Sequence, residues 1–304
     1  MSYALLFAGQ GSQHADMLPW LNAQASCPSS ILEMEKRLGP SWREDLKDPK
    51  ERSVNQFAQT LITGTSLAAW EVLQPLLPES PAVVAGYSVG EMAAYACAGA
   101  LSIPQALELT AWRAEAMDCA GAGQLTGLLS VSGYSVDQVQ AAFPQLQCAI
   151  LIDQDHAIYG GVTHDLDAAE RQLGQAGAIC NRLAIQVASH TRFLASASSR
   201  FQSMLEVEPF LPPNFPIVVN ANAQAARRPD ALKQALSGQI SSMVDWASCM
   251  DAVAERGIQC VLEIGPGRAL STMWNRHNAA VPARSLEDFH DPAGAARWIQ
   301  RQLD

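Results

Sequence analysis

Charged residues are scarce in this sequence, and the two signs are not balanced. Asp, Glu, Lys and Arg make up 16% of the 304 positions, and 30 acidic against 20 basic residues give a net charge of −10 at pH 7. Nucleic-acid-binding proteins usually present a basic face, so this balance argues against that class. It also argues against docking on an anionic membrane.

Long apolar runs are absent as well. The most apolar window, residues 82–103, contains Glu91 and glycines and divides into separate structural pieces, so it does not predict a membrane-spanning helix. The first residues, MSYALLF, have no basic segment and too short an apolar run for a secretory signal peptide. We therefore expect a cytoplasmic protein.

Cysteine pairs at metal-binding or redox spacing are missing. The seven cysteines are odd in number, and no two of them stand in a CxxC pair, so scattered reduced thiols fit better than a disulfide framework or a zinc site. His156 lies near Asp153 and Asp155, but this spacing matches no metal-ligand pattern and indicates a solvated loop. We predict neither a metal site nor a permanently bound cofactor.

Apolar residues are abundant: they fill 48% of the chain, which is enough for a large core and about two domains. Strand-like segments alternate with helical ones, and this alternation predicts an α/β fold with a parallel sheet. The predicted strands cover residues 3–7, 82–85, 217–220 and 259–264, and the predicted helices cover residues 59–73, 91–100 and 104–117.

Residues 125–186 have a different order of predicted strands and helices. Strand-like and helical stretches follow one another there in the order βαββαβ, which is typical of a ferredoxin-like unit. We therefore predict a large α/β-hydrolase-like domain formed by residues 1–124 and 187–304, with a small ferredoxin-like domain inserted at 125–186. A cleft between the two domains is the expected site.

The pentapeptide Gly86-Tyr87-Ser88-Val89-Gly90 matches G-x-S-x-G. It lies between a predicted strand and a predicted helix, the context in which a nucleophile elbow exposes its serine. The helix N-terminus behind Ser88 offers free N–H groups and a partial positive charge, and both favour the oxyanion formed in acyl transfer. An ordinary Gly/Ser turn between strand and helix is the simpler alternative.

A serine nucleophile needs a base, and His190 is the strongest of the six histidines. It lies in Ala188-Ser189-His190-Thr191, directly after the predicted strand that closes the inserted domain, and therefore at the domain boundary. The alternative is a surface loop histidine without a catalytic function.

Two glycine pairs could suggest a nucleotide site. Gly9-Gln10-Gly11 and Gly265-Pro266-Gly267 both lack the third glycine of a dinucleotide fingerprint. The proline of the second pair also removes an N–H that could hold a phosphate. No Walker A sequence is present, so nucleotide binding by these motifs is not predicted.

Several motifs together resemble one family. FAGQGSQ at residues 7–13 is similar to the F-P-G-Q-G-S-Q start of malonyl-CoA:acyl-carrier-protein transacylases. GYSVGE at residues 86–91 resembles the G-H-S-x-G-E elbow of that family. EIGPG at residues 263–267 resembles the family's late E-[IV]-G-P-G turn. Order and spacing agree from about residue 4 to 275, and three motifs in order are far more specific than one. The inserted ferredoxin-like domain is also what the family has.

The resemblance implies functions for individual residues. Ser88 matches the acylated serine, and His190 matches the catalytic histidine, which the main-chain carbonyl of a glutamine at Gln239 orients. Arg113 matches the arginine that pairs with the free carboxylate of the malonyl group, and Gln59 matches a glutamine of the substrate pocket. Without the resemblance, Arg113 would be interpreted as a structural residue of a helix, paired with a nearby glutamate.

The implied reaction is a two-step ping-pong acyl transfer. The N–H groups of Gln10 and Val89 match the family's oxyanion hole, malonyl-CoA is the implied donor, and the phosphopantetheine-type thiol of an acyl carrier protein is the implied acceptor.

Tyr87 departs from the family pattern, because most relatives have histidine there. The form Gly-Tyr-Ser-Val-Gly-Glu is similar to the transacylase (epsilon) subunit of bacterial malonate decarboxylase. That subunit serves a carrier with a phosphoribosyl-dephospho-CoA group, so our first interpretation is the transacylase subunit of malonate decarboxylase.

Three alternatives stay open. The chain could be a fatty-acid or polyketide malonyl-CoA:acyl-carrier-protein transacylase, a serine esterase or thioesterase, or a scaffold that only binds a carrier. Arg113 and the absence of an HGGG-type oxyanion loop argue against the hydrolase. Retention of Ser88, His190 and Arg113 together argues against the scaffold.

Overall fold

The structure is a computed structural model that describes residues 2–23, 27–77 and 79–304. Strands and helices alternate along most of it. The strands are β1 (Tyr3–Phe7), β2 (Val83–Gly86), β3 (Thr126–Ser132), β4 (Gln147–Asp153), β5 (His156–Val162), β6 (Ile179–Arg182), β7 (Ile217–Val219), β8 (Gln224–Ala226), β9 (Val244–Asp245), β10 (Cys260–Ile264) and β11 (Ala283–Ser285).

Helices pack around both sheets. They are α1 (Ser29–Leu38), α2 (Trp42–Asp45), α3 (Pro49–Ser53), α4 (Asn55–Leu73), α5 (Gly90–Cys97), α6 (Ile103–Gly121), α7 (Val136–Ala142), α8 (Thr163–Gln175), α9 (Ala195–Val207), α10 (Pro229–Gly238), α11 (Trp246–Ala254), α12 (Ala269–His277) and α13 (Pro292–Leu303). None of the described helices is both long and apolar enough to cross a membrane.

The larger sheet has the strand order β11-β10-β1-β2-β7-β8. All its neighbouring strands are parallel except β7 and β8. Every residue of β1 is buried, as expected for a central parallel strand that is covered on both faces. The predicted α/β fold with a parallel sheet is confirmed. The antiparallel edge strand β8 was not predicted; the short turn that joins it to β7 allows only a hairpin.

The smaller sheet has the order β6-β3-β5-β4-β9. Its first four strands are antiparallel neighbours and follow the predicted βαββαβ order along the chain. The fifth strand, β9, comes from outside residues 125–186 and runs parallel to β4. The sheet is therefore completed by the rest of the chain, and the division at 124/125 and 186/187 into two domains stays a prediction.

One apolar cluster joins the two sheets. It contains Leu6 and Ala85 from the larger sheet, Ile150 and Ile158 from the smaller one, and the fully buried Trp246. Removing this apolar surface from water stabilises the contact between the sheets. The carboxyl ends of β1 and β2 therefore face a region walled by the smaller sheet.

Close backbone packing explains the two glycines of the pentapeptide. A Cβ atom on Gly86 would lie 2.1 Å from the carbonyl carbon of Gly90, and one on Gly90 would lie 2.3 Å from the carbonyl oxygen of Phe7. Strand β1, strand β2 and helix α5 could not approach so closely with any larger residue at either position.

Gly90→Ala is expected to lower the free energy of unfolding by about 3 kcal/mol, because the added methyl group meets backbone atoms that cannot move aside. Gly174→Ala in α8 is the matched control: nothing lies within 4 Å of its Cβ position, so alanine should stabilise the helix by about 0.5–1 kcal/mol. Urea denaturation followed by far-UV circular dichroism measures both. Equal stability of the Gly90 variant and the wild type would contradict the packing argument.

Candidate active site

Ser88 lies in the turn between β2 and α5, as the strand–turn–helix prediction requires. Its φ angle is 55°, a left-handed conformation that costs a non-glycine residue about 1–3 kcal/mol. Such strain persists only where surrounding contacts hold it. The conformation directs the Ser88 side chain away from the sheet toward His190.

His190 contacts Ser88 directly. Its Nε2 lies 2.7 Å from Ser88 Oγ, and its Nδ1 lies 2.5 Å from the main-chain carbonyl oxygen of Gln239. The Nδ1–H donates to that carbonyl, which leaves Nε2 free to accept the Ser88 hydroxyl proton. His190 is only 2% exposed, so the alternative of a surface loop histidine is wrong.

Gln239 joins three members of the site. Its carbonyl accepts from His190, its Nε2 donates to the Ser88 carbonyl at 3.2 Å, and its Oε1 accepts from Arg113 Nη2 at 3.4 Å. The residue directly follows α10. Its side-chain contacts were not predicted from the sequence.

Arg113 is buried beside the serine. It lies on α6, is 1% exposed, and donates from Nη1 to Gln59 Oε1 at 2.6 Å and from Nη2 to Ser88 Oγ at 3.4 Å. The alternative of a structural pair with a neighbouring glutamate is wrong, because Glu115 pairs instead with Arg200. No carboxylate of the described chain forms an ion pair with Arg113.

The predicted oxyanion-hole residues flank the serine. Gln10 lines the same cavity as Ser88, and Val89 follows Ser88 at the start of α5. Within the described residues, neither of their N–H groups has a hydrogen-bond acceptor. The Ser88 N–H, by contrast, donates to Asn220 Oδ1 at 2.8 Å. The two free N–H groups are therefore the ones available for an added oxyanion.

A cavity of about 230 Å³ opens over Ser88. Its polar lining includes Ser88, His190, Arg113 and Gln59. The loop that follows β1 of the larger sheet also lines it. Apolar side chains also line the cavity: Leu128, Ile150 and Ile158 come from the smaller sheet, Leu183 and Ile185 from the segment after β6, and Leu270 and Met273 from α12. The site therefore lies between the two sheets, in agreement with the expected cleft.

Residues 4–286 match the model of the acyl transferase domain family. The chain belongs to this family. Its relatives include the malonyl CoA-acyl carrier protein transacylase of Escherichia coli K12, 28% identical over 94% of this chain and 96% of that protein. The enzyme of the same name from Mycobacterium tuberculosis H37Rv is 29% identical over 95% of this chain and 97% of that protein.

Solved structures agree with this assignment. The acyl-carrier-protein S-malonyltransferase of Burkholderia pseudomallei 1710b has a TM-score of 0.89 and 25% identity over 99% of this chain and 100% of that chain. A malonyl-transacylase in complex with a type II PKS acyl-carrier protein has a TM-score of 0.90 and 25% identity over 98% of this chain and 99% of that chain. The protein described here is an acyltransferase.

Burial sets the charge states in the acyltransferase site. It lowers the pKa of His190 to about 3, with a further contribution from the positive charge of Arg113, against the hydrogen bond to Gln239. Burial also lowers the pKa of Arg113 to about 10, an effect that the negative charge of Glu91 opposes. At neutral pH the histidine is therefore an uncharged base and the arginine a cation.

Sequence reasoning missed Asn220, which binds two main-chain groups of the serine turn. Its Oδ1 accepts from the Ser88 N–H, and its Nδ2 donates to the Gly86 carbonyl at 2.7 Å. The available signal was its position at the carboxyl end of the predicted strand at residues 217–220, since parallel strands present their carboxyl ends at one edge of a sheet.

The structure also shows the contacts of His156, the histidine that lies near Asp153 and Asp155 in the sequence. His156 Nε2 contacts Ser130 Oγ at 3.0 Å, and no group of three His, Cys, Asp or Glu side chains is arranged to hold a metal within the part of the chain that the structure describes. All seven cysteines are free thiols.

The His190 imidazole is expected to stay neutral from pH 8 to pH 5 in the native acyltransferase, because its pKa of about 3 lies below that range. ¹H–¹⁵N NMR of imidazole-labelled protein measures this, with His190→Asn used for assignment. In the same protein unfolded in urea, the ring should titrate near pH 6.5. A native midpoint between pH 6 and 7 would contradict the effect of burial and of Arg113.

Proposed function

We propose that this acyltransferase moves a malonyl group from malonyl-CoA to the thiol of an acyl carrier protein, through an ester on Ser88. The observation that carries the proposal is Arg113, a buried cation without a carboxylate partner in the described chain, whose Nη2 lies 3.4 Å from Ser88 Oγ. An uncompensated buried charge is costly, so the site favours an acyl group that brings its own carboxylate. The malonyl transacylases among the relatives support this substrate.

In the first step, Ser88 Oγ attacks the thioester carbonyl while His190 Nε2 accepts the hydroxyl proton. The carbonyl oxygen becomes an oxyanion, and the N–H groups of Val89 and Gln10 bind it. Collapse of this intermediate breaks the carbon–sulfur bond, and the departing CoA sulfur takes the proton from His190. One oxyanion donor is worth about 3 kcal/mol in similar sites.

The second step reverses the first. The carrier thiol gives its proton to His190 and attacks the malonyl ester, and Ser88 leaves and regains that proton. The Gln239 carbonyl, at 2.5 Å from His190 Nδ1, orients the ring in both steps. An acidic third residue is not needed for this orientation, because the imidazolium forms only transiently.

The bound carboxylate also strengthens the base. Arg113 lowers the pKa of His190 through its positive charge, and a carboxylate paired with the guanidinium offsets that charge. His190 therefore becomes more basic when the correct acyl group binds. An acetyl group would leave both the unpaired cation and the weak base in place.

The apolar walls serve the intermediate. An ester on Ser88 must survive until the carrier arrives, and Leu128, Ile158 and Leu270 keep water away from the reacting carbon on the cavity side. A serine esterase instead gives water access to its ester, and it has no need of a buried cation such as Arg113 beside the serine.

The Ser88–His190 contact argues against a scaffold.

The comparisons favour an acyl carrier protein of fatty-acid or polyketide type over the malonate decarboxylase carrier, because the matching relatives are named for the former. Tyr87 is the specific observation that keeps the decarboxylase carrier as a second candidate. It lines the cavity and packs edge-on against Trp246, with ring centroids 5.1 Å apart. Its ring occupies the position beside the nucleophile where most relatives have histidine.

Radiolabelled malonyl-CoA mixed with each purified holo carrier tests the function. We expect label on the phosphopantetheine carrier at a rate well above that on the carrier with the ribosylated group, and no transfer by Ser88→Ala. Mass spectrometry of the enzyme alone should show an added malonyl mass that Ser88→Ala lacks. Preferred loading of the ribosylated carrier would favour the second candidate, and an adduct on the alanine variant would contradict Ser88 as nucleophile.

Arg113→Ala should lower kcat/KM for malonyl-CoA on the order of 10²–10³-fold, since a buried pair that loses one partner costs about 3–5 kcal/mol. Acetyl-CoA, which gains nothing from the guanidinium, should change by less than about tenfold. Arg200→Ala on the exposed pair with Glu115 is the control and should behave like the wild type. Unchanged malonyl-to-acetyl selectivity in Arg113→Ala would refute this function of the guanidinium.

A further inference from the structure

The left-handed backbone of Ser88 needs stabilising contacts in addition to those used in the acyl-transfer steps. A residue with φ at 55° relaxes toward ordinary backbone unless its neighbours prevent it. Relaxation would rotate Oγ away from His190 Nε2. Some group must therefore hold the two peptide units that precede the serine, Gly86–Tyr87 and Tyr87–Ser88.

The side chain of Asn220 reaches both of these peptide units. Its Nδ2 donates to the Gly86 carbonyl at 2.7 Å, and its Oδ1 accepts from the Ser88 N–H at 2.8 Å. These two short hydrogen bonds span the turn from its first residue to its third. Asn220 directly follows a different strand, β7, which is the parallel neighbour of β2.

Asn220 is itself held by Glu91. The main-chain N–H of Asn220 donates to Glu91 Oε1 at 2.7 Å, and Glu91 belongs to the first turn of α5. Both residues are almost fully buried. Asn220 thus links the carboxyl end of β2, the serine and the start of the helix to one another.

We propose that Asn220 is a positioning residue, which holds Ser88 in the reactive left-handed conformation so that its hydroxyl meets His190. This inference rests on the proposed function of Ser88 as the nucleophile. The position needs a group with a donor at one end and an acceptor at the other, as a carboxamide has. Ionised aspartate, of the same shape, lacks the donor, and alanine lacks both groups.

The Asn220 contact also determines which N–H groups near Ser88 can bind an oxyanion. Since Asn220 occupies the Ser88 N–H, that group is not available to an oxyanion. The N–H groups of Val89 and Gln10, which have no acceptor within the described residues, remain. Asn220 therefore acts through Ser88 and does not touch the substrate.

The first test measures the reactivity of Ser88 without malonyl-CoA or a carrier. Methanesulfonyl fluoride should label Ser88 in the wild type, and Asn220→Ala should slow labelling on the order of 10²-fold, the usual effect of a small misplacement of a reacting group. Asn222→Ala in the same turn should label like the wild type, because Asn222 is exposed and, among the residues that the structure describes, its side chain hydrogen-bonds to the Gln224 N–H alone.

The outcomes separate the two proposals. If the wild type is not labelled at Ser88, the proposed nucleophile fails. If the wild type is labelled and Asn220→Ala is labelled equally fast, the positioning function fails. With malonyl-CoA as substrate, kcat should fall in Asn220→Ala while KM changes by less than about twofold, because Asn220 contacts the elbow and not the acyl pocket.

Asn220→Asp provides a second test that a purely structural function would not satisfy. At pH 8 the introduced carboxylate can accept from the Ser88 N–H but has no proton for the Gly86 carbonyl. At lower pH it can be protonated and donate again. The titratable groups around this position are present in both proteins: Glu91 accepts from the Asn220 N–H, Cys249 contacts the Val219 carbonyl, and His190 and Arg113 contact Ser88.

The ratio of the Asn220→Asp labelling rate to the wild-type rate should therefore rise at least about tenfold between pH 8 and pH 5, the change expected when a group passes from mostly ionised to mostly protonated. A flat ratio would overturn the proposal. If Asn220→Ala does not fold, this isosteric variant decides the question alone, with circular dichroism to verify its fold at each pH.

Discussion

The left-handed turn at Ser88 is the constraint on which the rest of the structure depends. It exists because β2 passes into α5 with no space for side chains at Gly86 and Gly90. The same close approach brings the free N–H groups at the start of α5 next to the serine. The strained backbone of Ser88, the exposure of its side chain to the cavity and the nearby free N–H groups thus all result from this close approach. Contacts from distant parts of the chain are needed to maintain the turn.

Three residues that are distant from Ser88 in the sequence make those contacts. His190, Asn220 and Gln239 lie 102, 132 and 151 residues after the serine, and each binds a different atom of it. The parallel pairing of β2 with β7 places Asn220 at the turn, whereas the smaller sheet and the segment after α10 deliver the histidine and its carbonyl partner. The candidate site is therefore a property of the tertiary fold, although Ser88 belongs to a local motif.

This difference explains what the sequence could predict. The elbow, the alternation of strands and helices, and the βαββαβ order are local patterns, so their prediction succeeded. His190 could be chosen only from its position at a domain boundary, and Arg113 only from the family resemblance. The two-residue strand β9 and the side-chain contacts of Asn220 and Gln239 depend on pairings across the fold, which leave no periodic signal in the chain.

Two buried ionisable groups control the electrostatics of the site. Arg113 keeps its charge because Gln59 and Gln239 solvate the guanidinium and Glu91 attracts it from a distance. Burial raises the pKa of Glu91 to about 8, partly offset by Asn220 and Arg113, so this carboxyl cannot fully neutralise the cation at neutral pH. The remaining positive charge points into the cavity and lowers the pKa of His190. In the proposed function, a substrate carboxylate would complete the charge balance and strengthen the base in the same event, so that recognition of the acyl group and activation of the serine would depend on the same arginine.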